Sequence, residues 1–406
     1  METVDIIIKN ANEIVTLIGP NKPRKKKDMN NLSIVKNGSI AIKNGLIVSI
    51  GKNINFKSKK VLDAKDKTVM PGFVDPHTHL VFAGSREFEL DMKLKGYSYM
   101  DILKKGGGIT YTVKETRKAS VNSLIKQSRV RLDTMLSHGT TTCEAKSGYG
   151  LDVETEIKIL KCIKKLNDTH PVDIIPTFLG AHAVPKGKKT QDYVNIIVNE
   201  MLPKIKNLAK YCDVFCEKGV FTSSQSKRIL KACKEYGLIP KIHADEIVDT
   251  GGAALAAEVG AISADHLLMS NDKGLKDMAK KGVIGVLLPG TPFSLMMKDY
   301  AAGRKMIDMG LPVALATDLN PNCWVESMQF IIQLACLNMK LTPAEAITAS
   351  TFNSACAIGE NKFIGSLEKG KVADIIILDC PNHKFISYHY GVNLVETVIK
   401  KGSIIK

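Results

Sequence analysis

Two kinds of hydrophobic pattern divide the chain. The first 70 residues alternate apolar and polar positions in short runs, such as DIIIKNANEIVTLIG and LSIVKNGSIAIKNGLIVSIG. Asn37-Gly38 and Asn44-Gly45 interrupt these runs at positions typical of β-hairpin turns. The end of the chain repeats the pattern in GSLEKGKVADIIILDCP and LVETVIKKGSIIK. We therefore predict one small β-sandwich domain built from both ends, residues 1–69 and 360–406.

The middle of the chain alternates apolar strand-like runs with amphipathic helical stretches. Eight runs read as strands: PGFVDPHTH, GTTTCEAKSGYG, VDIIPTFLGAHAV, CDVFCEKG, IPKIHADE, AISADHLL, VIGVLLPG and VALATDLN. The predicted helices cover 119–138, 152–167, 191–209, 224–237, 250–259, 272–281, 301–310 and 323–338. Eight such units predict an α/β fold, a (β/α)8 TIM barrel over residues 70–359.

A doubly wound open sheet is the alternative architecture, but no GxGxxG motif follows the first strand of the repeat. After the eighth unit, Thr342-Pro343 predicts the start of another helix, with Thr as the N-cap and Pro at the first helical position.

Composition narrows the class of protein. The chain has 406 residues, of which 44% are apolar, and no apolar run approaches the roughly 18–20 residues that cross a bilayer. METVDIIIKN lacks the features of a secretory signal. The nine cysteines are odd in number and form no CxxC pair, which indicates free thiols in a reducing cytoplasm. Cys212 and Cys216 form a CxxxC that no second pair completes as a zinc site.

The formal net charge of +16 raises the question of a nucleic-acid partner. The lysines are spread along helices, and the one cluster, NKPRKKKDMNN at 21–31, is interpreted as a solvated hairpin loop. No nucleic-acid-binding motif accompanies the charge, so we expect a small-molecule substrate, no nucleic acid and no membrane. A strongly salt-dependent affinity for DNA or RNA would support the opposite reading.

Histidines collect where the predicted strands end. Five of the nine do so: His77 and His79 after the first strand, His182 after the third, His243 after the fifth and His266 after the sixth. Asp318 ends the eighth strand. Active sites of (β/α)8 barrels lie at this end of the strands. Three imidazoles and a carboxylate, from His77, His79, His243 and Asp318, form a plausible set of ligands for one zinc or ferrous ion.

Other polar residues follow the same strand ends. Glu246 can carry a proton from water to a leaving nitrogen, and His182 and His266 can bind a carbonyl oxygen or orient the attacking water. Arg86 can clamp a carboxylate with two parallel hydrogen bonds. Tyr149, in KSGYG, can stack or donate its hydroxyl. Gly106-Gly107-Gly108 predicts a flexible loop near the same mouth.

These motifs carry a resemblance that covers nearly the whole chain. PGFVDPHTHLVFAGSR, HADE, ADHL and ATDLNP, in that order, resemble the amidohydrolase superfamily. KGGGITYTVKETR, KSGYGLD and PTFLGAHAVP resemble loops of one group within that superfamily, the cyclic-amide hydrolases of histidine degradation. That resemblance implies hydrolysis of 4-imidazolone-5-propanoate to N-formimidoyl-L-glutamate by a homodimer with one zinc or iron per subunit.

The resemblance also implies roles for individual residues. The family's metal ligands fall on His77, His79, His243 and Asp318, and its substrate contacts fall on Arg86, Tyr149, His182 and Glu246. Its product-binding segment falls on Asn320, Asn322 and Cys323. The family usually has Gly followed by Ser or Thr where this chain has Asn322-Cys323, which puts the hydroxyl contact at position 323 in doubt.

Two rival functions remain at this stage. A purine or pyrimidine aminohydrolase would share the metal ligands and differ in the substrate loops, and Arg86 favours a carboxylate-bearing substrate over a neutral base. A catalytically silent scaffold of the same fold would have lost metal ligands, whereas every ligand position here is filled.

Overall fold

The computed structural model describes residues 2–97 and 99–406. Its strands are β1 (Thr3–Ile14), β2 (Val35–Lys43), β3 (Leu46–Gly51), β4 (Lys57–Asp63), β5 (Thr68–Pro71), β6 (Phe73–Asp75), β7 (Thr140–Lys146), β8 (Asp173–Ala181), β9 (Tyr211–Cys216), β10 (Ile239–Ala244), β11 (Ser263–His266), β12 (Ile284–Leu287), β13 (Val313–Leu315), β14 (Ile375–Leu378), β15 (Val395–Lys400) and β16 (Ser403–Ile404).

The helices lie mostly between the strands of the barrel. They are α1 (Glu87–Leu94), α2 (Tyr99–Lys104), α3 (Gly108–Lys118), α4 (Val121–Ser137), α5 (Val153–Thr169), α6 (Thr190–Ile196), α7 (Leu202–Ile205), α8 (Ser223–Glu235), α9 (Gly252–Val259), α10 (Asp272–Lys281), α11 (Gly290–Ser294), α12 (Gly303–Met309), α13 (Met328–Met339), α14 (Pro343–Ser350) and α15 (Phe352–Ala357).

Strands β6 to β13 form the barrel. They pair in chain order, and every pair is parallel. The first and last strands meet just beyond their ends, where Asp318 N donates to His77 O at 3.1 Å and His79 N donates to Leu319 O at 2.8 Å. All eight predicted strands are present, and the predicted (β/α)8 barrel is confirmed.

Asp75 reinforces this closure from β6. Its fully buried carboxylate accepts hydrogen bonds from Thr317 N at 3.1 Å and from Thr317 Oγ1 at 2.6 Å. These bonds join the first strand to the segment after the last one, which holds His77 and Asp318 in register.

The two chain ends form one mixed sheet of eight strands, in the order β16-β15-β14-β5-β1-β2-β3 with β4 paired to β1. Ile8, Ile40, Ile375 and similar residues fill its own apolar core. The predicted composite β domain is therefore present, and the hydrogen bonds join all of its strands into one sheet rather than two. Because β5 belongs to this sheet as far as Pro71, we propose that the barrel begins at residue 72.

Three local predictions can be compared with the helices. Thr342 caps α14 as predicted, since Thr342 Oγ1 accepts from Glu345 N and the Glu345 carboxylate accepts from Thr342 N. The predicted helix 191–209 is interrupted at 197–201 by a π-helical turn just before Pro203, which cannot donate a backbone hydrogen bond. The predicted helix 323–338 begins only at Met328, where Ser327 supplies the cap.

The basic segment 21–31 differs from the solvated hairpin loop that the sequence predicts. Its lysines are exposed, but Arg24 and Met29 are buried. Arg24 N donates to Asn353 Oδ1 at 2.7 Å, and the guanidinium lies 4.5 Å from the centre of the Phe352 ring. Arg24 and Met29 therefore anchor the segment to the rest of the fold, while its four lysines stay in solvent.

Among the described residues, no helix combines the length and the apolar character needed to cross a bilayer.

Candidate active site

The four predicted metal ligands converge at the C-terminal mouth of the barrel. The ligand nitrogens of His77, His79 and His243 all lie within 4.8 Å of one another, and so do two nitrogens and one oxygen of His77, His266 and Asp318. His77 Nε2 and His79 Nε2 each lie 3.5 Å from Asp318 Oδ1. All five side chains are almost completely buried.

Several polar atoms in this group have no hydrogen-bond partner. They include His77 Nε2, His243 Nε2 and Asp318 Oδ1. Buried polar atoms in folded proteins are nearly always paired, so a cluster of unpaired ones is suited to hold a ligand. Imidazole nitrogens with a carboxylate oxygen suit a divalent transition metal such as zinc or iron. The residues present therefore fit a metal ion.

The outer atoms of the same side chains are held in place. His77 Nδ1 lies 2.6 Å from Asp265 Oδ2, and Asp318 Oδ2 accepts from Thr291 Oγ1 at 2.5 Å. His243 Nδ1 lies 3.0 Å from Asp213 Oδ2, without the alignment of a full hydrogen bond. Such contacts fix the tautomer and leave Nε2 with its lone pair.

The pKa values agree with neutral imidazoles at two of these positions. Burial, followed by the charge of Lys146, lowers the pKa of His77 well below its ordinary value. Burial also lowers the pKa of His79, and the neighbouring His182 adds to the effect. Burial would lower the pKa of His243 too, but the adjacent Asp213 carboxylate outweighs it and raises that pKa.

Backbone strain marks the ends of the strands. Asp245, His266 and Asp318 have φ angles of 52°, 74° and 55°. These angles lie in the left-handed region, which residues other than glycine rarely adopt. Strain of this kind concentrates at functional sites, where the surrounding structure enforces it. It turns the His266 and Asp318 side chains from the strand direction into the mouth.

Asp245 shapes the loop that carries Glu246. Its carboxylate accepts from the backbone N–H groups of Thr250, Gly252 and Ala253. Glu246 Oε2 then lies 3.7 Å from His266 Nε2. Burial, and next the Asp318 carboxylate, raise the pKa of Glu246 to about 8. Glu246 is therefore placed beside the ligands with a pKa near neutrality.

His182 and Tyr149 form a second wall of the mouth. The His182 ring stacks on His79 with centroids 4.8 Å apart, and Tyr149 lies 5.3 Å from His182. His182 Nδ1 lies 3.1 Å from Gly148 O. Because a carbonyl only accepts, Nδ1 carries the proton and Nε2 keeps a lone pair. Burial lowers the pKa of His182 to about 3, which keeps the ring neutral.

Glu156 holds the loop that presents Tyr149. Its buried carboxylate accepts from Gly148 N at 2.9 Å, Gly150 N at 2.7 Å and Leu151 N at 2.9 Å. A Cβ at position 150 would lie 2.7 Å from Glu156 N, so glycine is required there. The sequence analysis missed Glu156, which lies on α5 and gives no motif of its own.

Arg86 is fixed by a buried acid in the next helix. Arg86 Nε and one terminal nitrogen donate to the two oxygens of Glu89 at 2.7 and 2.8 Å. Glu89 Oε1 also accepts from Gly108 N at 2.6 Å, which joins the glycine loop to Arg86. Gly106-Gly107-Gly108 therefore leads into the ordered start of α3. Glu89 occupies the edge of the Arg86 guanidinium formed by Nε and one terminal nitrogen, and the other edge is available for a ligand.

A cavity of about 750 Å³ lies between the loops that carry Arg86 and Asn322. Lys93 spans the two loops, since its Nζ donates to Asn322 Oδ1 at 2.8 Å. Exposed Trp324 and Phe293 contribute apolar surface to the rim of the cavity. Arg86 and Asn322, two of the residues predicted to contact substrate or product, therefore line one cavity.

The predicted product-binding segment forms a tight turn. Asn320 Oδ1 accepts from Asn322 N at 2.8 Å and Cys323 N at 3.0 Å, and Asn320 Nδ2 donates to Asp318 O. Cys323 Sγ is buried 3.6 Å from Thr317 O. In this arrangement the Asn320 amide shapes the loop, and only Asn322 directs a side chain into the cavity.

A layer of buried charges lies beneath the metal ligands, and the sequence analysis missed it. We call it the charge layer; its members are Glu144, Lys146, Asp213, Lys241 and Asp265, all fully buried. Each of the five has an opposite charge within 3.5 Å. A charged residue within an otherwise apolar buried strand was the available signal, as in CDVFC.

The chain was compared with known proteins. A model of the "Amidohydrolase family" matches residues 68–405. An imidazolonepropionase of Alkaliphilus metalliredigens is 52% identical, covering 99% of this chain and 98% of that protein. One from Geobacillus kaustophilus is 53% identical, covering 98% of this chain and 97% of its own.

Solved structures support the fold. A zinc-bound adenosine deaminase from Xanthomonas campestris has a TM-score of 0.74 with 16% identity, covering 99% of this chain and 93% of its own. An atrazine chlorohydrolase from Arthrobacter aurescens complexed with zinc has a TM-score of 0.71 with 14% identity, covering 98% and 94%. The match over the barrel and the full-length identity lead to one conclusion: the chain belongs to the metal-dependent amidohydrolase family and, within it, to the imidazolonepropionases.

Proposed function

We propose that the chain hydrolyses the cyclic amide C–N bond of 4-imidazolone-5-propanoate to give N-formimidoyl-L-glutamate. The observation that carries this proposal is identity of more than half of the residues to imidazolonepropionases along almost the whole chain. The mouth of the barrel supports it, because it brings the metal ligands together, and the preorganised Arg86 lines a cavity beside the loop that follows the first of these strands.

One zinc or iron ion would be held by His77, His79, His243 and Asp318. When bound, a divalent ion supplies a nucleophile at neutral pH by lowering the pKa of water from near 16 toward about 7. The buried imidazoles and the strained Asp318 turn are the chain's contribution to that chemistry.

The side chains around the metal ligands transfer a proton from the attacking water to the ring nitrogen. Water adds to the ring carbonyl carbon, and its proton passes to Glu246 or Asp318. The C–N electron pair then moves to the ring nitrogen, which takes that proton as the bond breaks. Glu246 is suited to this transfer because a pKa of about 8 lets it both accept and donate near neutral pH.

His182 and His266 orient the reacting groups. The lone pair on His182 Nε2 can accept from a ring N–H or from the attacking water, so this residue is better suited to orientation than to stabilising an oxyanion. His266 Nε2 lies 3.7 Å from Glu246 Oε2, so a neutral His266 can orient the carboxylic acid that forms when Glu246 takes up the proton.

Arg86 and Tyr149 would bind the propionate. A guanidinium already locked by Glu89 loses little conformational entropy when it binds a carboxylate. Asn320 shapes the turn at the far side of the cavity, and Asn322 and Cys323 complete the proposed product segment.

A spectrophotometric assay on 4-imidazolone-5-propanoate, with metal analysis of the same sample, tests the proposal. We expect turnover that a chelator abolishes and that zinc or iron restores. No turnover of this substrate, together with ammonia release from a purine or pyrimidine base, would instead support an aminohydrolase.

We further propose a homodimer in the cytoplasm with no nucleic-acid partner. Light scattering of the purified protein measures the first point, and binding to DNA or RNA at two salt concentrations measures the last.

A further inference from the structure

Lys146 stands apart from the other charges of the barrel interior. It lies at the end of β7, its side chain is fully buried, and its Nζ contacts three carboxylates. The distances are 2.7 Å to Asp213 Oδ2, 2.8 Å to Glu144 Oε2 and 3.5 Å to Asp265 Oδ2.

Two of these carboxylate oxygens also face metal-binding imidazoles. Asp213 Oδ2 lies 3.0 Å from His243 Nδ1, and Asp265 Oδ2 lies 2.6 Å from His77 Nδ1. The same oxygen atom in each aspartate therefore contacts Lys146 on one side and a histidine on the other. Among the described residues, Lys146 alone is ion-paired with both aspartates.

We propose that Lys146 is a positioning residue for the metal, which fixes His77 and His243 together through Asp265 and Asp213. Each aspartate has a further anchor of its own: Asp213 Oδ1 accepts from His243 N at 3.1 Å, and Asp265 Oδ1 accepts from Ser263 Oγ at 2.7 Å. Those anchors act on single carboxylates, whereas Lys146 couples the two.

The physical reason is electrostatic. Two buried aspartates that face one cation are held toward each other, and without the cation they would repel in a medium of low dielectric constant. Their Oδ2 atoms would then move, and both imidazoles would lose the partner that keeps the proton on Nδ1. Metal affinity depends on such outer contacts, and their loss typically costs about 10–100-fold.

Lys241 offers a matched control. It is equally buried and contacts the same acid, with Nζ 2.9 Å from Glu144 Oε1 and 3.0 Å from Pro76 O. It makes no ion pair with Asp213 or Asp265 among the described contacts. The charge of Lys241 also acts on Asp265 at longer range, but removing Lys241 breaks no ion pair with either histidine's partner.

The experiment measures zinc affinity of the metal-free protein by competition with a chromophoric chelator, for the wild type, Lys146→Met and Lys241→Met. We expect zinc to bind about 10–100-fold more weakly to K146M and within about threefold of the wild type to K241M. The absorption spectrum of the cobalt-substituted protein should change in K146M alone. Equal zinc affinities in K146M and the wild type would overturn the proposal, as would equal losses in the two variants.

A second pair of variants keeps the comparison decisive if a single lysine deletion prevents folding. Lys146→Met and Lys241→Met are each combined with Glu144→Gln, so that a negative charge is removed with the positive one. We expect the same difference in zinc affinity between the two double variants, and its absence would also overturn the proposal.

This inference rests on the metal site of the proposed function, and its test separates the two. Zinc affinity is measured without substrate. A wild type that binds zinc but leaves 4-imidazolone-5-propanoate unchanged would contradict the proposed substrate, while the ranking of the lysine variants would still decide the role of Lys146.

Discussion

The barrel interior contains two polar layers with opposite properties. At the mouth, His77, His243 and Asp318 have buried atoms with no partner. Directly beneath, every member of the charge layer has an opposite charge within 3.5 Å. An unpaired buried group costs stability unless a ligand satisfies it, whereas a paired one supports the fold. We infer from this difference that the unpaired upper layer is arranged to bind a ligand, whereas the paired lower layer stabilises the barrel.

The largest expected effect comes from removing one unpaired ligand. Asp318→Asn keeps the shape and can still accept from Thr291, but it removes the charge that would face the metal. We expect kcat/KM to fall at least about 10³-fold, because the acidified water is lost. The melting temperature of the metal-free protein should stay within about 3 °C, since a change under 1 kcal/mol shifts it little. A large fall in the melting temperature of metal-free D318N would contradict the view that the upper layer does not stabilise the fold.

Glu246→Gln tests the proton carrier beside the ligands. We expect kcat to fall about 10²–10⁴-fold, the usual range for a general acid–base group, with bound metal unchanged. Steady-state kinetics and metal analysis of the same sample measure both quantities. Full activity in E246Q would contradict the proton transfer through this residue.

Arg86→Met separates substrate binding from metal binding. A charge-assisted hydrogen bond contributes about 1.5–3 kcal/mol, so KM should rise roughly 10–100-fold. Metal affinity and kcat should change much less. The control is Arg129→Met, because Arg129 is only partly buried and contacts only Thr169 among the described hydrogen bonds. Equal KM values for R86M and the wild type would argue against a carboxylate clamp.

The smallest effect is expected at Cys323. Its thiol is buried against Thr317 O and does not enter the cavity. Cys323→Ser should change kcat and KM by no more than about threefold, since a weak thiol donor is exchanged for a hydroxyl donor worth about 1 kcal/mol or less. A large gain in product affinity would instead assign position 323 a direct contact.

The sequence predicted the upper layer better than the lower one. Histidines are rare, so their coincidence with strand ends was visible without coordinates, and the alternation of strands and helices placed those ends at one mouth. The roles of these residues remain predictions, although the structure brings His77, His79, His243 and Asp318 together.

Charges such as Lys146 and Asp213 gave a weaker signal, namely a charged residue within an otherwise apolar strand. Lysine and aspartate are common and normally solvated, so their burial depends on pairing across strands that are distant in sequence. Lys146 and Asp213 meet only when β7 and β9 flank β8 in the closed barrel. The prediction of a solvated loop at 21–31 was wrong for the same reason. The partners of Arg24 come from α15, more than 300 residues later in the chain.

The composite terminal sheet imposes an order on biosynthesis. β5 pairs on one side with β1 and on the other with β14, which begins only at Ile375. At a synthesis rate of about 5–20 residues per second, the edge of β5 waits on the order of tens of seconds for that partner. During this interval its unpaired backbone is an open template for another nascent chain. A stop codon upstream of Ile375 would leave that edge of β5 without its partner permanently, whereas one after Leu378 would not.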